Sequence, residues 1–384
     1  MADPNSRFVL QIVPSRTTGP DGIGDYAAHL AEGLRNRHDI HCSFLSGTPQ
    51  RDNLARDDGW PSAFVTERTM EALGQSLREA ADRRPFSAVI LHVGGYGYAD
   101  RGVPLWLLRG MRRWRAAFPQ PQLLGIFHEL YATGKPWNSS FWIGPLQKHV
   151  ARQLWNLADA GITTNSRYLS DLVAWRPGMS NRVALMPVFS NMGEPASVPN
   201  IGDRPHKAMV FGLPGIESIV YEQCAAEVAG VVEKLGITEI VDIGSRLVAP
   251  PATIGGATIK VRGRLPVAEI SRELCDCRFG LMVYDTTRLG KSTVFAAYAA
   301  HGVVPVCIGS KATPADGLIS GRHLLQPPVE RIKAAALDAM QQQLLNWYND
   351  HSYEHVVNKV AAMCLPQCMG LDVTIKGADG VPSA

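Results

Sequence analysis

The chain has 384 residues, of which 46% are hydrophobic and 19% charged, and its formal net charge is +3. This length exceeds one ordinary domain and suits two. The composition is typical of a folded α/β protein rather than of a disordered or coiled-coil chain. A nearly balanced charge without a long basic stripe gives no reason to expect a nucleic-acid partner.

The amino-terminal segment MADPNSRFVLQIVP lacks the basic region and apolar core of a signal peptide, and no stretch approaches the roughly 20 apolar residues that cross a bilayer. The seven cysteines are scattered, which is typical of reduced thiols in a cytoplasmic protein. The close pairs, Cys275 with Cys277 and Cys364 with Cys368, have no second pair at zinc-site spacing. We therefore expect a cytoplasmic protein without a metal site.

Strand and helix patterns alternate in two series, which indicates largely parallel sheets covered by helices. The first series predicts strands over 8–13, 40–45, 88–93, 123–128 and 161–164, with helices over 25–37, 69–83, 104–118 and 144–157. The second series predicts strands over 208–211, 239–243, 257–261, 279–284 and 303–307, with helices over 216–235, 267–275 and 292–301. A helical segment over 332–363, with a break near 349–352, follows the second series.

The stretch between the two series is rich in Pro, Gly, Ser and Asn and has no apolar period, which is typical of a linker. The predicted domains are an N-terminal Rossmann-like domain over 1–190, a linker over 191–206 and a second Rossmann-like domain over 207–348. Residues 349–384 are predicted to form a C-terminal helix and a disordered tail. We expect two Rossmann-like α/β domains facing across a cleft, with sites in the loops after the strands.

A glycine-rich loop, Gly19-Pro-Asp-Gly22-Ile-Gly24-Asp25, follows the first strand and opens the first helix. Glycines let a ligand approach the backbone, and a helix amino terminus offers N–H groups to an anion. The spacing is not that of a dinucleotide fingerprint, and the acidic residue expected after the second strand is missing. The loop is therefore either a ligand-binding site or a tight turn with Asp25 near the helix start.

Two further strand ends carry polar groups. His128-Glu129 ends an apolar strand, and a histidine there can donate, accept or act as a base near neutral pH. The alternative is a capped histidine that holds the loop after it. The later loop contains Gly290-Lys291-Ser292-Thr293, but Asp285 stands where a P-loop requires glycine. This loop suits a phosphate or diphosphate at the helix start, or is a Ser/Thr cap beside a solvated lysine.

Three weaker features remain open. The turns at Gly212 and at Gly244-Ser245-Arg246 either line the same cleft or are turns only. The basic and aromatic helix over 104–115 could rest at an anionic membrane surface. We favour an ordinary solvated helix whose arginine stems cover apolar surface.

Together these features resemble GT-B glycosyltransferases, in particular the retaining family-4-type group. The resemblance lies in GIGDYA after the first strand, in the strand ending FHE at Glu129, and in the two Rossmann-like halves. It continues in the segments 263–270 and 277–284 and in the helix-glycine-proline-valine ending over 295–306. It covers nearly the whole chain as spacing rather than as one diagnostic string.

The resemblance implies a hexosyltransferase that uses no metal and no cofactor, with a nucleoside-diphosphate sugar as donor and a glycan or lipid-linked molecule as acceptor. It implies a role in polysaccharide or glycoconjugate biosynthesis. The cytoplasmic location is expected from the cysteines and the amino terminus, and a peripheral contact at the inner membrane face is a further expectation from the helix over 104–115. The acceptor belongs to the N-terminal domain and the donor to the C-terminal domain. The catalytic candidates are His128 and Asp25, and the donor-binding candidates are Gly22, Gly24, Gly212, Arg246, Gly290, Lys291, Ser292 and Thr293.

One departure from the family keeps other functions open. The family's two glutamates, eight positions apart, would fall at Leu289 and Ala297, and neither residue is acidic. A catalytically silent GT-B-like binding or partner subunit is therefore an alternative, and so is a nucleotide-sugar epimerase. The failed dinucleotide spacing argues against a dehydrogenase.

Overall fold

The computed structural model describes residues 7–17, 21–49, 57–133, 137–212 and 214–365. The chain divides into two compact units: unit 1 comprises Met1–Met186 and Val356–Ala384, and unit 2 comprises Pro187–His355. Each unit contains one largely parallel sheet together with helices. The two predicted Rossmann-like α/β halves are confirmed.

The sheet of unit 1 has seven parallel strands among the described residues, in the order β3-β2-β1-β4-β5-β6-β7. The strands are β1 (Phe8–Val13), β2 (His41–Ser46), β3 (Ser62–Phe64), β4 (Ala88–Gly94), β5 (Gln122–Glu129), β6 (Ala160–Thr163) and β7 (Val183–Leu185). The helices are α1 (Gly22–His38), α2 (Met70–Arg83), α3 (Gly95–Tyr98), α4 (Leu105–Ala117), α5 (Ser139–Leu157) and α6 (Ser166–Trp175). The central strand β4 is buried along its whole length, as expected for a parallel strand covered on both faces.

The sheet of unit 2 has six strands in the described part of the chain, in the order β10-β11-β9-β8-β12-β13, and its β10–β11 pair is antiparallel. The strands are β8 (Lys207–Phe211), β9 (Glu239–Ile243), β10 (Thr253–Ile254), β11 (Ala257–Gly263), β12 (Phe279–Val283) and β13 (Val304–Ile308). The helices are α7 (Ile216–Ser218), α8 (Ala225–Leu235), α9 (Val267–Asp276), α10 (Thr293–Ala300) and α11 (Ala334–Asn349). A last helix, α12 (Tyr353–Cys364), begins in unit 2 and continues into unit 1.

Each unit has its own apolar core. The core of unit 1 includes Leu10, Leu73 and Trp155, and that of unit 2 includes Val210, Val231 and Leu281. These residues come from strands and from the inward faces of helices, so each sheet and its helices bury a common apolar layer. Packing of the strands in these cores therefore fixes the positions of the strand ends.

The structure differs from the predicted elements mainly at short segments. The helix predicted over 216–235 is interrupted, because a π-helical turn at Ile219–Gln223 separates α7 from α8. The helices α3 and α6 and the strands β3, β7 and β10 were not predicted from the sequence. These three strands have two or three residues each and lie at sheet edges, where so short a segment shows no apolar period. The part of the predicted C-terminal segment 349–384 that follows residue 365 lies outside the described residues, and so does the predicted loop residue Gly19.

None of the helices formed by the described residues combines the length and the apolar character needed to span a bilayer.

Candidate functional site

The predicted site residues lie mainly at the carboxyl edges of the two sheets. In unit 1 the strand order reverses between β1 and β4, and in unit 2 it reverses between β8 and β12. Ligands of open α/β sheets bind outside the strand ends at such reversals. The loops after these strands are therefore the expected ligand-binding positions of each unit.

In unit 1 the glycine-rich loop leads directly into α1. The Asp21 side chain caps this helix by accepting a hydrogen bond from the Gly24 N–H at 2.9 Å, and Asp25 lies in the first turn. A Cβ on Gly24 would lie 2.4 Å from Asp21 Oδ2 and 3.2 Å from the Ser15 carbonyl, whereas a Cβ on Gly22 would meet no described atom within 4 Å. The cap thus requires Gly24, while Gly22 presents open backbone.

His128 lies near the end of β5 and is only 8% exposed. Its Nε2 is 3.1 Å from Nδ1 of His92 on β4, and Nε2 of His92 is 2.8 Å from Oε1 of Gln11 on β1. Nε2 of Gln11 in turn donates to the Ala27 carbonyl of α1 at 3.2 Å. A chain of hydrogen bonds therefore crosses three neighbouring strands and reaches the predicted catalytic histidine.

Tyr26 on α1 packs edge-on against both histidine rings, with centroids 5.1 Å from His128 and 6.1 Å from His92. Burial, and next the nearby His128, hold the pKa of His92 well below its ordinary value. Burial also raises the pKa of Tyr26. Both groups are uncharged near neutral pH. Since Tyr26 follows Asp25 in the chain, this packing brings the first turn of α1 next to His128.

In unit 2 the Arg246 side chain joins two strand-end turns. Its Nε donates to Asp242 Oδ1 at 2.5 Å and its Nη2 donates to the Ile243 carbonyl at 2.8 Å. Its Nη1 lies 3.5 Å from the Gly212 carbonyl in the turn after β8. The side chains of Arg246 and Asp242 are 6% and 0% exposed. Arg246 is therefore bonded mainly to groups of unit 2, and it fixes the backbone of both turns.

The two turns also approach each other through glycine. Gly244 has φ +132°, and a Cβ there would lie 2.6 Å from the Gly212 carbonyl. A Cβ on Gly212 would come no closer than 3.7 Å to a described atom outside its chain neighbours, the nearest being in Ile216. Gly244 is thus needed for the contact between the turns, whereas Gly212 has room for a methyl group.

Glu217 fixes the turn after β9 through hydrogen bonds to its backbone. Its buried carboxylate accepts hydrogen bonds from the backbone N–H groups of Gly215 at 2.8 Å, Leu247 at 2.6 Å and Val248 at 3.2 Å. Burial by itself would raise the pKa of Glu217, but the backbone hydrogen bonds outweigh it and hold this pKa below its ordinary value. The carboxylate is therefore ionised at neutral pH and orders the loop 244–248.

The third predicted motif lies after β12. A 3₁₀-helical segment covers Thr286–Lys291, and Ser292 then caps α10 by accepting a hydrogen bond from the Phe295 N–H at 3.1 Å. Lys291 and Thr293 are half-buried on either side of this cap. Gly290 is buried, and its carbonyl accepts a hydrogen bond from the Val188 N–H at 2.8 Å. The structure shows the Ser292 cap and also places Lys291 at the amino end of α10, where an anion is favoured.

The structure brings the predicted residues together in part. In unit 1, α1 with Gly22, Gly24 and Asp25 adjoins His128 through Tyr26. In unit 2, Gly212 and Arg246 belong to adjoining turns, while 290–293 lie at the end of another strand. Three buried polar residues that support these groups were not predicted from the sequence: Gln11, His92 and Asp242. A polar residue inside an otherwise apolar strand was the available indication for Gln11, His92 and Asp242.

The basic and aromatic segment over 104–115 does not expose its tryptophans. Trp114 is buried, and Trp106 is half-buried with its Nε1 donating to the Tyr98 carbonyl. The neighbouring α5, in contrast, does expose aromatic side chains, since Trp142 is 74% exposed and Phe141 is 44% exposed. The first turns of α5 thus contribute aromatic surface in this region.

In the described parts of the chain, no group of three or more His, Cys, Asp or Glu side chains could hold a metal ion.

No family model and no curated protein sequence matches the chain. The solved structures give full-length matches. Anabaena HepE in complex with UDP and glucose is 10% identical with a TM-score of 0.57, over 94% of this chain and 99% of that chain. The α,α-trehalose 6-phosphate synthase of Burkholderia multivorans is 12% identical with a TM-score of 0.55, over 98% and 100%. A Listeria monocytogenes protein assigned as a UDP-N-acetylglucosamine 2-epimerase is 13% identical with a TM-score of 0.54, over 96% and 98%.

These matches, together with the two sheets and their strand orders, define the fold class: the chain has the GT-B fold. The GT-B fold expected from the resemblance is thereby confirmed.

Proposed function

We propose that this protein is a glycosyltransferase that moves a sugar from a nucleoside-diphosphate sugar to a glycan or lipid-linked acceptor, in polysaccharide or glycoconjugate biosynthesis. The observation that carries the proposal is the full-length GT-B match, which includes a structure in complex with UDP and glucose. Fold alone does not define chemistry, so the strand-end groups of each unit must supply it.

For the donor, unit 2 offers groups suited to a diphosphate. Lys291 and the first backbone N–H groups of α10 supply positive charge at one strand end, with Gly290, Ser292 and Thr293 around them. The open backbone at Gly212 lets a ligand approach a second strand end, and Arg246 holds that turn. In this proposal the charge of the leaving diphosphate is met by Lys291 and the helix N–H groups, without a metal ion.

For catalysis, unit 1 contributes His128 and Asp25, with Gly22 and Gly24 at the start of α1. A strand-end histidine can exchange a proton or a hydrogen bond with a sugar hydroxyl near neutral pH. The packing of Tyr26 against His128 supports this assignment, because it brings the turn that carries Asp25 beside the imidazole.

Thermal unfolding in the presence of UDP, GDP, ADP, TDP and their common sugars tests donor binding. A ligand at about a hundred times its dissociation constant stabilises the folded state by about 2.7 kcal/mol, enough to raise the melting temperature measurably. We expect one nucleoside diphosphate and its sugars to raise it selectively. No shift with any of these compounds would contradict donor binding.

Lys291→Ala tests the role of the lysine. Removing one preorganised donor to a developing anion typically costs about 2.7–4 kcal/mol of transition-state stabilisation, so turnover should fall by about a hundredfold or more. Lys311→Ala is the matched control, since Lys311 is exposed after β13 and has no part in the proposed site. Equal turnover in the two variants would remove Lys291 from the mechanism.

A catalytically silent binding or partner subunit is the second candidate. It is favoured by Leu289 and Ala297, which occupy the positions of the family's acidic pair and are both buried in unit 2. An epimerase is a third candidate, because an assigned epimerase shares the fold. Incubation of the protein with the nucleotide-sugar that binds separates the three: a transferase consumes it only with an acceptor, an epimerase converts it alone, and a silent subunit does neither.

For the acceptor, we propose that a lipid-linked molecule is reached at an anionic membrane surface on the cytoplasmic side. Phe141, Trp142 and Leu146 are exposed on the first turns of α5, and the exposed Lys148 and Arg152 follow them. Neither α4 nor α5 contains an acidic residue. Aromatic residues beside cations suit the boundary between lipid headgroups and acyl chains.

Sedimentation with lipid vesicles tests this contact. Wild-type protein should bind vesicles that contain anionic lipid and should lose binding as salt is raised, because the cations are screened. Trp142→Ser should weaken binding, and Arg112→Glu with Arg113→Glu should weaken it further. Trp106→Phe is the control, since Trp106 is half-buried and its Nε1 donates to the Tyr98 carbonyl within unit 1. Unchanged binding in the α5 and α4 variants would exclude this surface.

A further inference from the structure

Three polar side chains lie side by side on central strands of unit 1: Gln11, His92 and His128. The first two have no exposed surface, and the third is almost fully buried. A buried polar group is stable only when its hydrogen bonds are made. Each hydrogen bond in this chain therefore restricts where the protons lie, and the positions of the protons can be derived one residue at a time.

The amide of Gln11 has only one consistent orientation. The Ala27 carbonyl can only accept, so the Gln11 atom 3.2 Å from it is the NH₂ group. The Gln11 side chain also makes a hydrogen bond to the thiol of Cys42 on β2. Burial raises the pKa of this thiol to about 12, and the hydrogen bond from Gln11 opposes part of that rise. Gln11 Oε1 therefore faces His92 Nε2 across 2.8 Å and accepts a hydrogen bond from it.

His92 must then carry its proton on Nε2. Burial, followed by the effect of His128, holds the pKa of His92 well below its ordinary value, so its ring is neutral and has a single N–H. Its Nδ1 has a lone pair and lies 3.1 Å from His128 Nε2. This contact is a hydrogen bond only if His128 donates, and His128 therefore keeps a proton on Nε2.

We propose that Gln11 and His92 are positioning residues that hold His128 as its Nε2–H tautomer and leave the lone pair on His128 Nδ1. A sugar hydroxyl that meets His128 at Nδ1 then finds an acceptor of a hydrogen bond or a proton, rather than a donor. That the ligand is a sugar rests on the proposed glycosyl transfer, whereas the tautomer follows from the hydrogen bonds alone.

The tyrosines that contact His128 and His92 are neutral and do not compete for the proton of His128. Tyr26 meets its ring edge-on from α1, and Tyr98 on α3 donates its hydroxyl to backbone carbonyls of β1 and β4. Burial raises the pKa of both tyrosines. The charged side chains adjacent to these residues in the chain are Asp25, before Tyr26, and Glu129, after His128.

His301 in unit 2 is a matched internal control. It is fully buried, its Nδ1 lies 2.8 Å from the Ala297 carbonyl, and its Nε2 lies 2.8 Å from Ser271 Oγ. Burial lowers the pKa of His301 to about 4, so this ring is neutral as well. Because the carbonyl only accepts, His301 is the Nδ1–H tautomer. The two histidines should therefore differ in tautomer within one protein.

Nuclear magnetic resonance of the full chain labelled with ¹⁵N-histidine, recorded at about pH 8 where an unperturbed histidine is neutral, reads the tautomer of each ring without any ligand. Single substitutions His128→Gln and His301→Gln assign the two signals among the eleven histidines. We expect Nε2–H for His128 and Nδ1–H for His301. An Nδ1–H form or a mixture at His128 in the wild-type protein would overturn the proposal.

Gln11→Leu extends the test. Without the Gln11 oxygen, His92 has no fixed tautomer, and we expect His128 to become a mixture while His301 stays unchanged. A single unchanged tautomer at His128 would remove Gln11 from the proposal. The wild-type spectrum remains decisive if this variant fails to fold. If His128 is the Nε2–H tautomer but the protein consumes no nucleotide-sugar, the hydrogen-bond network is supported and glycosyl transfer is contradicted. If the protein transfers a sugar but His128 is not the Nε2–H tautomer, only the network is contradicted.

Discussion

The buried polar groups near the carboxyl ends of the strands differ in charge between the two units. In unit 1, Gln11 and His92 are neutral and bond to one another in a chain. In unit 2, Asp242 and Arg246 form an ion pair, and Glu217 is an ionised carboxylate surrounded by backbone N–H groups. A buried charge is tolerated only with close partners, whereas a neutral group needs only its hydrogen bonds. The neutral groups of unit 1 thus fix the position of a proton, whereas the charged groups of unit 2 fix the position of the backbone.

Asp242→Asn should give the largest effect on stability. The change leaves the buried Arg246 guanidinium without its carboxylate, and breaking a buried ion pair from one side typically costs about 3–5 kcal/mol. Chemical denaturation measures the loss in the free energy of unfolding. Glu79→Gln is the control, because the Glu79–Arg83 pair of α2 is mostly exposed and such pairs contribute about 0.3–0.5 kcal/mol. Similar losses in both variants would mean that the edge of unit 2 does not depend on its charges.

His301→Gln should change how stability depends on pH. Burial lowers the pKa of His301 from 6.5 to about 4 in the folded state, so below about pH 6.5 the unfolded chain binds a proton that the folded chain does not. This group therefore removes up to about 1.4 kcal/mol of stability per pH unit as pH falls from about 6.5 toward 4. Unfolding experiments over this range should show a shallower loss in the variant.

The comparison with wild-type protein isolates His301, since other buried histidines, such as His92, contribute to both curves. Parallel curves for the two proteins would show that His301 is already charged in the folded state. A shallower curve combined with unchanged donor binding would show that a buried neutral histidine away from the strand ends serves stability alone.

Much of the fold was predictable from the sequence, because long central elements have a clear period. The predicted strand over 239–243 coincides with β9, and the predicted strand over 88–93 covers all but the last residue of β4. In contrast, the edge strands β3, β7 and β10 form only through pairing with a neighbour and leave no period in so few residues.

The candidate site was predictable to a smaller extent. Strand-end residues such as His128 stand out because a polar group follows an apolar run. His92 does not stand out in the same way, because its role depends on Gln11, 81 residues away in the chain, and on the pairing of three strands. Glu217 is similar, since the loop that it orders begins some 30 residues later. Long-range pairing of this kind cannot be derived from local spacing.

Substitutions of the two glycines at the start of α1 should change stability least. They also distinguish a role of this loop in the fold from a role in ligand binding. Gly24→Ala places a Cβ 2.4 Å from Asp21 Oδ2, which would push the capping carboxylate away, and loss of an N-cap typically costs about 0.5–2 kcal/mol. Gly22→Ala meets no described atom within 4 Å, so its free energy of unfolding should stay within about 0.5 kcal/mol of wild type. If a ligand approaches the backbone at Gly22, this stable variant should nevertheless lose the thermal shift given by the bound nucleotide-sugar. A Gly22→Ala protein that keeps the full shift would show that the glycines serve the turn and that no ligand approaches the backbone at Gly22.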